Sequence, residues 1–193
     1  MFNDRYGLTD AVLEGRKTMT RRAVSDKIIA KAKAYQQEYF ATTLDAISLE
    51  DAILELSTYK IGEEVAIAQK YSECVNDILV KWGHKTDIAI LAFKKLAGWT
   101  NKMFVRADLM PHRIRITDIR VERLQDISDE DCLREGVMAE SVFNDNDYCT
   151  FLGSKSVYFS PREAFAALID KVSGKGTWES NPYVWVYSFE LIK

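Results

Sequence analysis

Four cations and two threonines lie within seven residues near the start of the chain, in the stretch Arg16-Lys17-Thr18-Met19-Thr20-Arg21-Arg22. Gly15 precedes this stretch, and glycine suits the left-handed backbone position that follows a helix. Hydroxyls beside positive charge, where the backbone changes direction, can form a pocket for an anion or a polar ligand. Alternatively, the cations complement the dipole of the preceding helix and the rest is a solvated strand edge. The residues alone leave both interpretations open.

The other reactive residue types exclude several common classes of site. Cys74, Cys132 and Cys149 are odd in number and far apart, so we expect buried, reduced thiols rather than disulfides or structural zinc. Two histidines are too few for a His-rich metal centre, and no G-x-S-x-G sequence frames a serine triad. The phosphate-binding patterns G-x-x-x-x-G-K-[ST] and G-x-G-x-x-G are absent from the sequence. We therefore expect neither a metal nor a cofactor.

The composition is that of an ordinary globular protein. The chain has 193 residues, 47% of them hydrophobic and 28% charged, and this length favours one domain. Its formal net charge is -3, so any nucleic-acid binding would depend on a local basic patch. The longest apolar runs have six residues, against ~18 for a membrane span, and the N-terminus has no signal-peptide pattern. We expect a cytoplasmic protein that does not contact membranes.

The elements of the first half must place the basic stretch between a helix and a strand. Asn3 can cap a first helix that ends near Gly15, and 18–24 is typical of a strand. Val65 and Ile67 alternate with alanines in a short buried strand. We expect the middle helices to wrap the core rather than to form it; they are predicted over 25–40, over 48–56 and twice within 74–96.

The second half has more regular patterns. Residues 112–124 are extended, and their apolar positions change parity around Thr117 and Asp118, which predicts a bulge in a strand that curves into a barrel. Over 183–191, aromatic and leucine side chains alternate with smaller residues, which predicts a last strand. We also predict a short helix ending at Gly136, a loop-rich segment over 138–159 and a helix beginning at Pro161. Strands interleaved with helices indicate an α+β domain around a small barrel.

Four segments, in order and covering about half the chain, resemble the motifs of one family. They are G-R-K-T-x-T-R at 15–21, an aromatic-x-x-Gly-acidic turn at 59–65, a strand and helix at 116–136, and the ending at 178–186. The family is the ASCH domain family, whose fold resembles that of pseudouridine synthases and archaeosine transglycosylases (PUA-like); the ending resembles phage and prophage members. The resemblance implies a single domain over 1–193, with a PUA-like mixed β-barrel flanked by helices. Helical insertions are expected around 25–57, 71–105 and 138–159.

The resemblance also implies three candidate functions. Many ASCH proteins are proposed RNA binders, which implies a basic pocket for RNA or for a modified nucleobase or nucleoside. Some compact bacterial members are amidohydrolases that remove the acyl group from N4-acetylcytidine with a Lys, a Thr and a Glu. These three residues match Lys17, Thr20 and Glu135. The third candidate is a phage-derived accessory protein that acts through protein contacts.

Amide hydrolysis by these residues makes physical sense. Thr20 would attack the acyl carbon, Lys17 would take its proton, and Glu135 would protonate the leaving amine or orient Lys17. A lysine acts as a base only if its pKa falls from ~10.4 towards ~7–8, which requires burial or neighbouring cations. Residues three apart on a regular strand face opposite sides, so Lys17 and Thr20 converge only if the chain turns or bulges after Gly15.

Further residues are candidates for ligand binding. From the basic stretch these are Arg16, Thr18, Arg21 and Arg22. Arg113 and Arg115 share a strand face, where they either extend the basic patch or are solvated. Trp178 is the best candidate for an exposed ring that stacks on a base. Trp185 is expected to be a core residue.

Overall fold

The computed structural model of the chain describes residues 2–83, 86–141 and 147–192. Within these ranges the α-helices are α1 (Leu8–Leu13), α2 (Asp26–Thr43), α3 (Leu49–Glu55), α4 (Tyr71–Lys81), α5 (Asp87–Lys94), α6 (Asp129–Arg134), α7 (Pro161–Ser173) and α8 (Thr177–Ser180). The strands are β1 (Met19–Ala23), β2 (Glu64–Ala66), β3 (Arg113–Arg123), β4 (Met138–Ser141), β5 (Asp147–Thr150) and β6 (Tyr183–Ile192). The mixture confirms an α+β protein.

Four strands form the main sheet in the order β1-β6-β3-β2, and all their pairings are antiparallel. The sheet curls as a partial barrel. The pairing of β3 with β6 shifts its register between Ile116 and Asp118, which confirms the predicted bulge. Among the described residues β1 pairs only with β6, so one edge of β1 is open. This open edge is where the candidate site lies.

The last strand separates two parts of the core. Trp185, Tyr187 and Phe189 pack on one side of β6, against α2 and α3. Val184 and Val186 pack on the other side, with side chains of α6 and α7. Side chains alternate across a strand, so the residues of one parity share the face towards α2 and α3, and those of the other parity share the face towards α6 and α7. The apolar alternation predicted for 183–191 is thus confirmed.

Two expectations about the additional segments are wrong. The middle helices do not only wrap the core, because Ala52 and Ile53 of α3 are fully buried and the Trp185 indole Nε1 donates to the Ile53 carbonyl at 3.1 Å. The insertion around 138–159 is not helical in its described residues, because β4 and β5 pair in it and Cys149 bridges to Tyr158; its other described residues are turns and irregular chain, as predicted. Backbone pairing holds this hairpin with few buried side chains, so its apolar periodicity is weak.

Two further expectations concern the cysteines and membrane-spanning helices. Cys74, Cys132 and Cys149 are reduced and buried, as predicted. Within the described ranges, none of the helices has the length and apolar character needed to cross a bilayer. His84, counted above among the two histidines, lies outside the described residues.

Candidate functional site

The turn after α1 brings the basic stretch against the end of α6. Gly15 adopts a φ of 76°, the left-handed conformation predicted for it. The Lys17 backbone N–H then donates to the Ala11 carbonyl at 2.9 Å, and the Thr18 N–H donates to the Arg134 carbonyl at 3.0 Å. The chain is therefore fixed between the last turns of α1 and α6 before β1 begins.

This turn buries Lys17 beside Glu135. The Lys17 ammonium Nζ lies 2.6 Å from Glu135 Oε2 and 2.7 Å from the Glu135 carbonyl oxygen. The two side chains are 2% and 6% exposed. Burial lowers the pKa of Lys17; Glu135 opposes this effect, and the charges of Arg22 and Arg21 add to it. Lys17 thus loses its proton more easily than an ordinary lysine does.

A second buried cation holds Glu135 and the carboxylates around it. Arg21 Nη1 lies 3.3 Å from Glu135 Oε1, and Arg21 Nη2 lies 2.7 Å from Glu122 Oε1 and 3.0 Å from Asp131 Oδ2. Arg120 completes the cluster by bonding both Glu122 and Asp131. Burial alone would raise the pKa of Asp131, but the hydrogen bond from Arg21 and the charges of both arginines lower it. The network fixes the orientation of the Glu135 carboxylate.

A cavity of about 660 Å³ follows the open edge of β1, and Lys17, Thr20 and Glu135 all line it. This volume lies in the range of small-molecule sites. Lys17 precedes the first residue of the strand, and a cavity at an open edge reaches both strand faces. These two features let Lys17 and Thr20 line one space despite their three-residue spacing.

The structure separates the other residues of the basic stretch into two groups. Arg21 and Arg22 line the cavity. Arg16 is exposed and pairs with Glu14 at 2.5 Å. The Thr18 hydroxyl accepts a hydrogen bond from Arg134 Nε, in the last residue of α6, at 3.3 Å. Arg16 and Thr18 therefore lie outside the lining that the described residues form.

Arg113 and Arg115 do not extend the basic patch into the cavity. Arg115 lies directly opposite Glu64 on β2 and Glu190 on β6, and pairs with them at 3.1 and 3.3 Å. Arg113 donates to the Ala107 carbonyl at 3.5 Å. These cross-strand partners depend on sheet register, which spacing along β3 alone does not reveal.

Trp178 is not the exposed ring that was expected. It lies in α8, is half-buried, and meets the Phe165 ring edge-on at a centroid distance of 6.2 Å. The Arg162 guanidinium lies 5.2 Å from the centre of its ring. Trp185 is a core residue, as predicted.

Several residues that line the cavity were not predicted from the sequence. Phe2, Arg5 and Lys70 line the cavity, together with residues 100–103. Lys102 fixes this wall, because its ammonium bonds the Phe2 carbonyl and lies 2.5 Å from the Asp4 carboxylate, 98 residues away. Contacts at such a separation have no local pattern that could predict them.

Cys132 lies in α6 near the charged network but is a poor nucleophile. Its side chain is fully buried, and burial raises the pKa of the thiol to about 12. A thiol with that pKa stays protonated at neutral pH, whereas the thiolate is the reactive form. Cys132 is therefore not a candidate nucleophile, and Thr20 stays the residue predicted for that role.

Comparison of the chain with protein-family models, curated proteins and solved structures gave no match.

Proposed function

We propose that the protein is a PUA-like domain of the ASCH type whose cavity binds a modified nucleobase, either as a free nucleoside or within RNA. One observation carries this proposal: Lys17 and Thr20 of the first motif meet Glu135 of the third in a single cavity of small-molecule size. Residues about 118 positions apart along the chain are brought together. The resemblance supplies the ligand class, and the geometry supplies a place for it.

The charges and rings of the cavity suit such a ligand. Six lysine or arginine side chains line it against two acidic ones, although the whole chain carries a net charge of -3. Thr20 and Arg22 contribute polar side chains to the lining that suit base heteroatoms, and Phe2 and Phe165 contribute aromatic ones. Recognition would therefore be local, within the cavity, rather than spread over a basic surface.

Arg22→Gln is expected to weaken the binding of N4-acetylcytidine by about 10-fold or more, because a hydrogen bond to a charged group contributes about 1.5–3 kcal/mol. Arg115→Gln is the matched control. Arg115 is an arginine of the same sheet that does not line the cavity, and we expect its substitution to change the Kd less than about twofold. Isothermal titration calorimetry measures both values. Equal effects of the two substitutions would contradict a ligand site at Arg22.

The lowered pKa of Lys17 favours a second candidate, hydrolysis of an N4-acylated cytosine nucleoside. The two hydrogen bonds from Lys17 Nζ to Glu135 use the two N–H groups of a neutral amine. The remaining lone pair of that amine is then available to accept a proton. Lys17 and Thr20 line the same cavity.

The reaction divides into two transfers of the acyl group. In the first transfer, Lys17 takes the hydroxyl proton of Thr20 while the Thr20 oxygen bonds to the acyl carbon. The carbon–nitrogen bond breaks, and the Lys17 ammonium gives the proton to the leaving cytidine amine. In the second transfer, Lys17 takes a proton from water, whose oxygen bonds to the carbonyl carbon of the acyl-threonine ester. The ester bond to the Thr20 oxygen then breaks, the Lys17 ammonium returns the proton to that oxygen, and the carboxylic acid is released. Glu135, held by Arg21, orients Lys17 throughout.

The pH dependence of hydrolysis tests the role of Lys17. The rate is expected to rise with pH through one ionisation below the ~10.4 of an ordinary lysine, because only the neutral amine accepts the proton. Arg22→Gln should move this ionisation to higher pH, since the charge of Arg22 lowers the pKa of Lys17. Initial rates between pH 6 and 10 measure the shift. A profile that Arg22→Gln leaves in place would contradict the assignment.

A further inference from the structure

A second, much smaller cavity adjoins the first. Its volume is about 40 Å³, and three residues, Phe2, Thr20 and Arg22, line both cavities. The rest of its lining is aliphatic or aromatic, and includes Ile67, Ile116 and Phe189, which are buried. We call this space the apolar slot. It lies on the side of the sheet where the β6 aromatics pack.

The size and lining of the slot define what fits in it. One water-sized group needs about 10–15 Å³, so the slot has room for roughly three such groups. An apolar space of this size favours a methyl, ethyl or propyl group, because removing such a group from water is favourable by about 0.8 kcal/mol per carbon. A longer chain would have to displace buried side chains.

Thr20 lies where the two spaces meet, because it lines both. A ligand with its base in the larger cavity and its acyl carbonyl at the Thr20 hydroxyl would direct its alkyl group into the slot. We propose that the slot is an acyl subsite that selects short N-acyl groups, from acetyl to butyryl, over longer ones. This inference rests on the proposed nucleoside ligand and specifies its acyl group.

Phe2, which forms a wall shared by the two cavities, is held in place from two sides. The Phe2 ring packs against Phe189 with a centroid distance of 5.7 Å. The Phe2 carbonyl accepts a hydrogen bond from Lys102, whose side chain is largely buried. A wall fixed in this way resists widening, and the slot should therefore limit acyl length sharply.

Binding of cytidines that carry N4-acetyl, propionyl, butyryl and hexanoyl groups tests the subsite. By calorimetry, we expect the first three to bind with similar or rising affinity and the hexanoyl compound to bind at least 10-fold more weakly. Val65→Ala enlarges the slot and should reduce the penalty for the hexanoyl group. Ala68→Val fills the slot and should weaken acetyl binding by 5-fold or more, whereas Ala41→Val, on the exposed face of α2, should not.

The outcomes separate this inference from the proposed function. Equal affinity for all four compounds, unchanged by Val65→Ala and Ala68→Val, would overturn the acyl subsite and leave nucleoside binding intact. Failure of all four compounds to bind would contradict both. Dependence on chain length that Ala68→Val alters and Ala41→Val does not would support the subsite.

Discussion

Replacing Glu135 with alanine is expected to lower the free energy of unfolding by about 3–5 kcal/mol at neutral pH, because it leaves a charged lysine buried without its partner. Lys17 is 2% exposed and lies 2.6 Å from the carboxylate that the substitution removes. The same change takes one carboxylate from Arg21, which keeps Glu122 and Asp131. Urea denaturation followed by circular dichroism measures the loss.

The free energy of unfolding that Glu135→Ala removes should become smaller as the pH rises. Glu135 raises the pKa of Lys17, so its removal lowers that pKa further below the value in the unfolded chain. Between the two pKa values the unfolded chain binds more protons, and stability therefore increases with pH in this window. The difference between variant and wild type is expected to be smaller at pH 9.5 than at pH 7.

An exposed ion pair provides the matched control. Glu14 pairs with Arg16 at 2.5 Å, but both side chains are about half exposed, and Glu14→Ala should cost less than about 1 kcal/mol. The double substitution Lys17→Met with Glu135→Leu should recover most of the stability, since it removes both buried charges. Equal losses at Glu14 and Glu135, or a loss at Glu135 that is independent of pH, would contradict the buried pair.

Thr20→Val is expected to reduce the release of cytidine from N4-acetylcytidine by at least 100-fold, because valine keeps the shape of threonine and lacks the nucleophilic oxygen. Thr18→Val is the control within the same Thr-x-Thr sequence. Thr18 accepts a hydrogen bond from Arg134 instead of lining the cavity, so we expect nearly unchanged turnover. Chromatography of the products measures the rates, and circular dichroism checks the fold.

Two substitutions of Lys17 test its role as the general base. Lys17→Met should cost about 10²- to 10⁴-fold in rate, the usual contribution of a general base. Lys17→Arg should not restore the rate, because a guanidinium keeps its proton in proteins and cannot act as the base. Turnover that survives Lys17→Met or Thr20→Val, or that Thr18→Val abolishes equally, would contradict the mechanism.

Much of the fold follows from local patterns in the sequence. The alternation over β6 predicted a strand whose aromatic residues share one face, and the change of parity near Thr117 predicted the bulge in β3. The turn at Gly15 and the end of α6 just before Gly136 follow from glycines that both adopt a positive φ. These features depend on a few neighbouring residues, and the sequence therefore reveals them.

The composition of the site depends on contacts that no local pattern contains. The partners of Arg115 are set by the register of three strands, and the half-buried position of Trp178 by its packing on Phe165. The wall at 100–103 was assigned to an insertion, and only its contacts with the N-terminus show that it lines the cavity. The alternative of an accessory protein that acts through protein contacts stays a prediction.

The most direct test of nucleoside binding is an NMR titration of the ¹⁵N-labelled protein with N4-acetylcytidine. We predict that the amide signals of Lys17, Thr20 and Arg22 shift in a saturable way, while those of Arg113 and Arg115 stay in place. The acetyl methyl signal of the ligand reports hydrolysis in the same sample, because it changes when acetate is released. Absence of saturable shifts at the cavity, or shifts centred on Arg113 and Arg115, would contradict the proposed site.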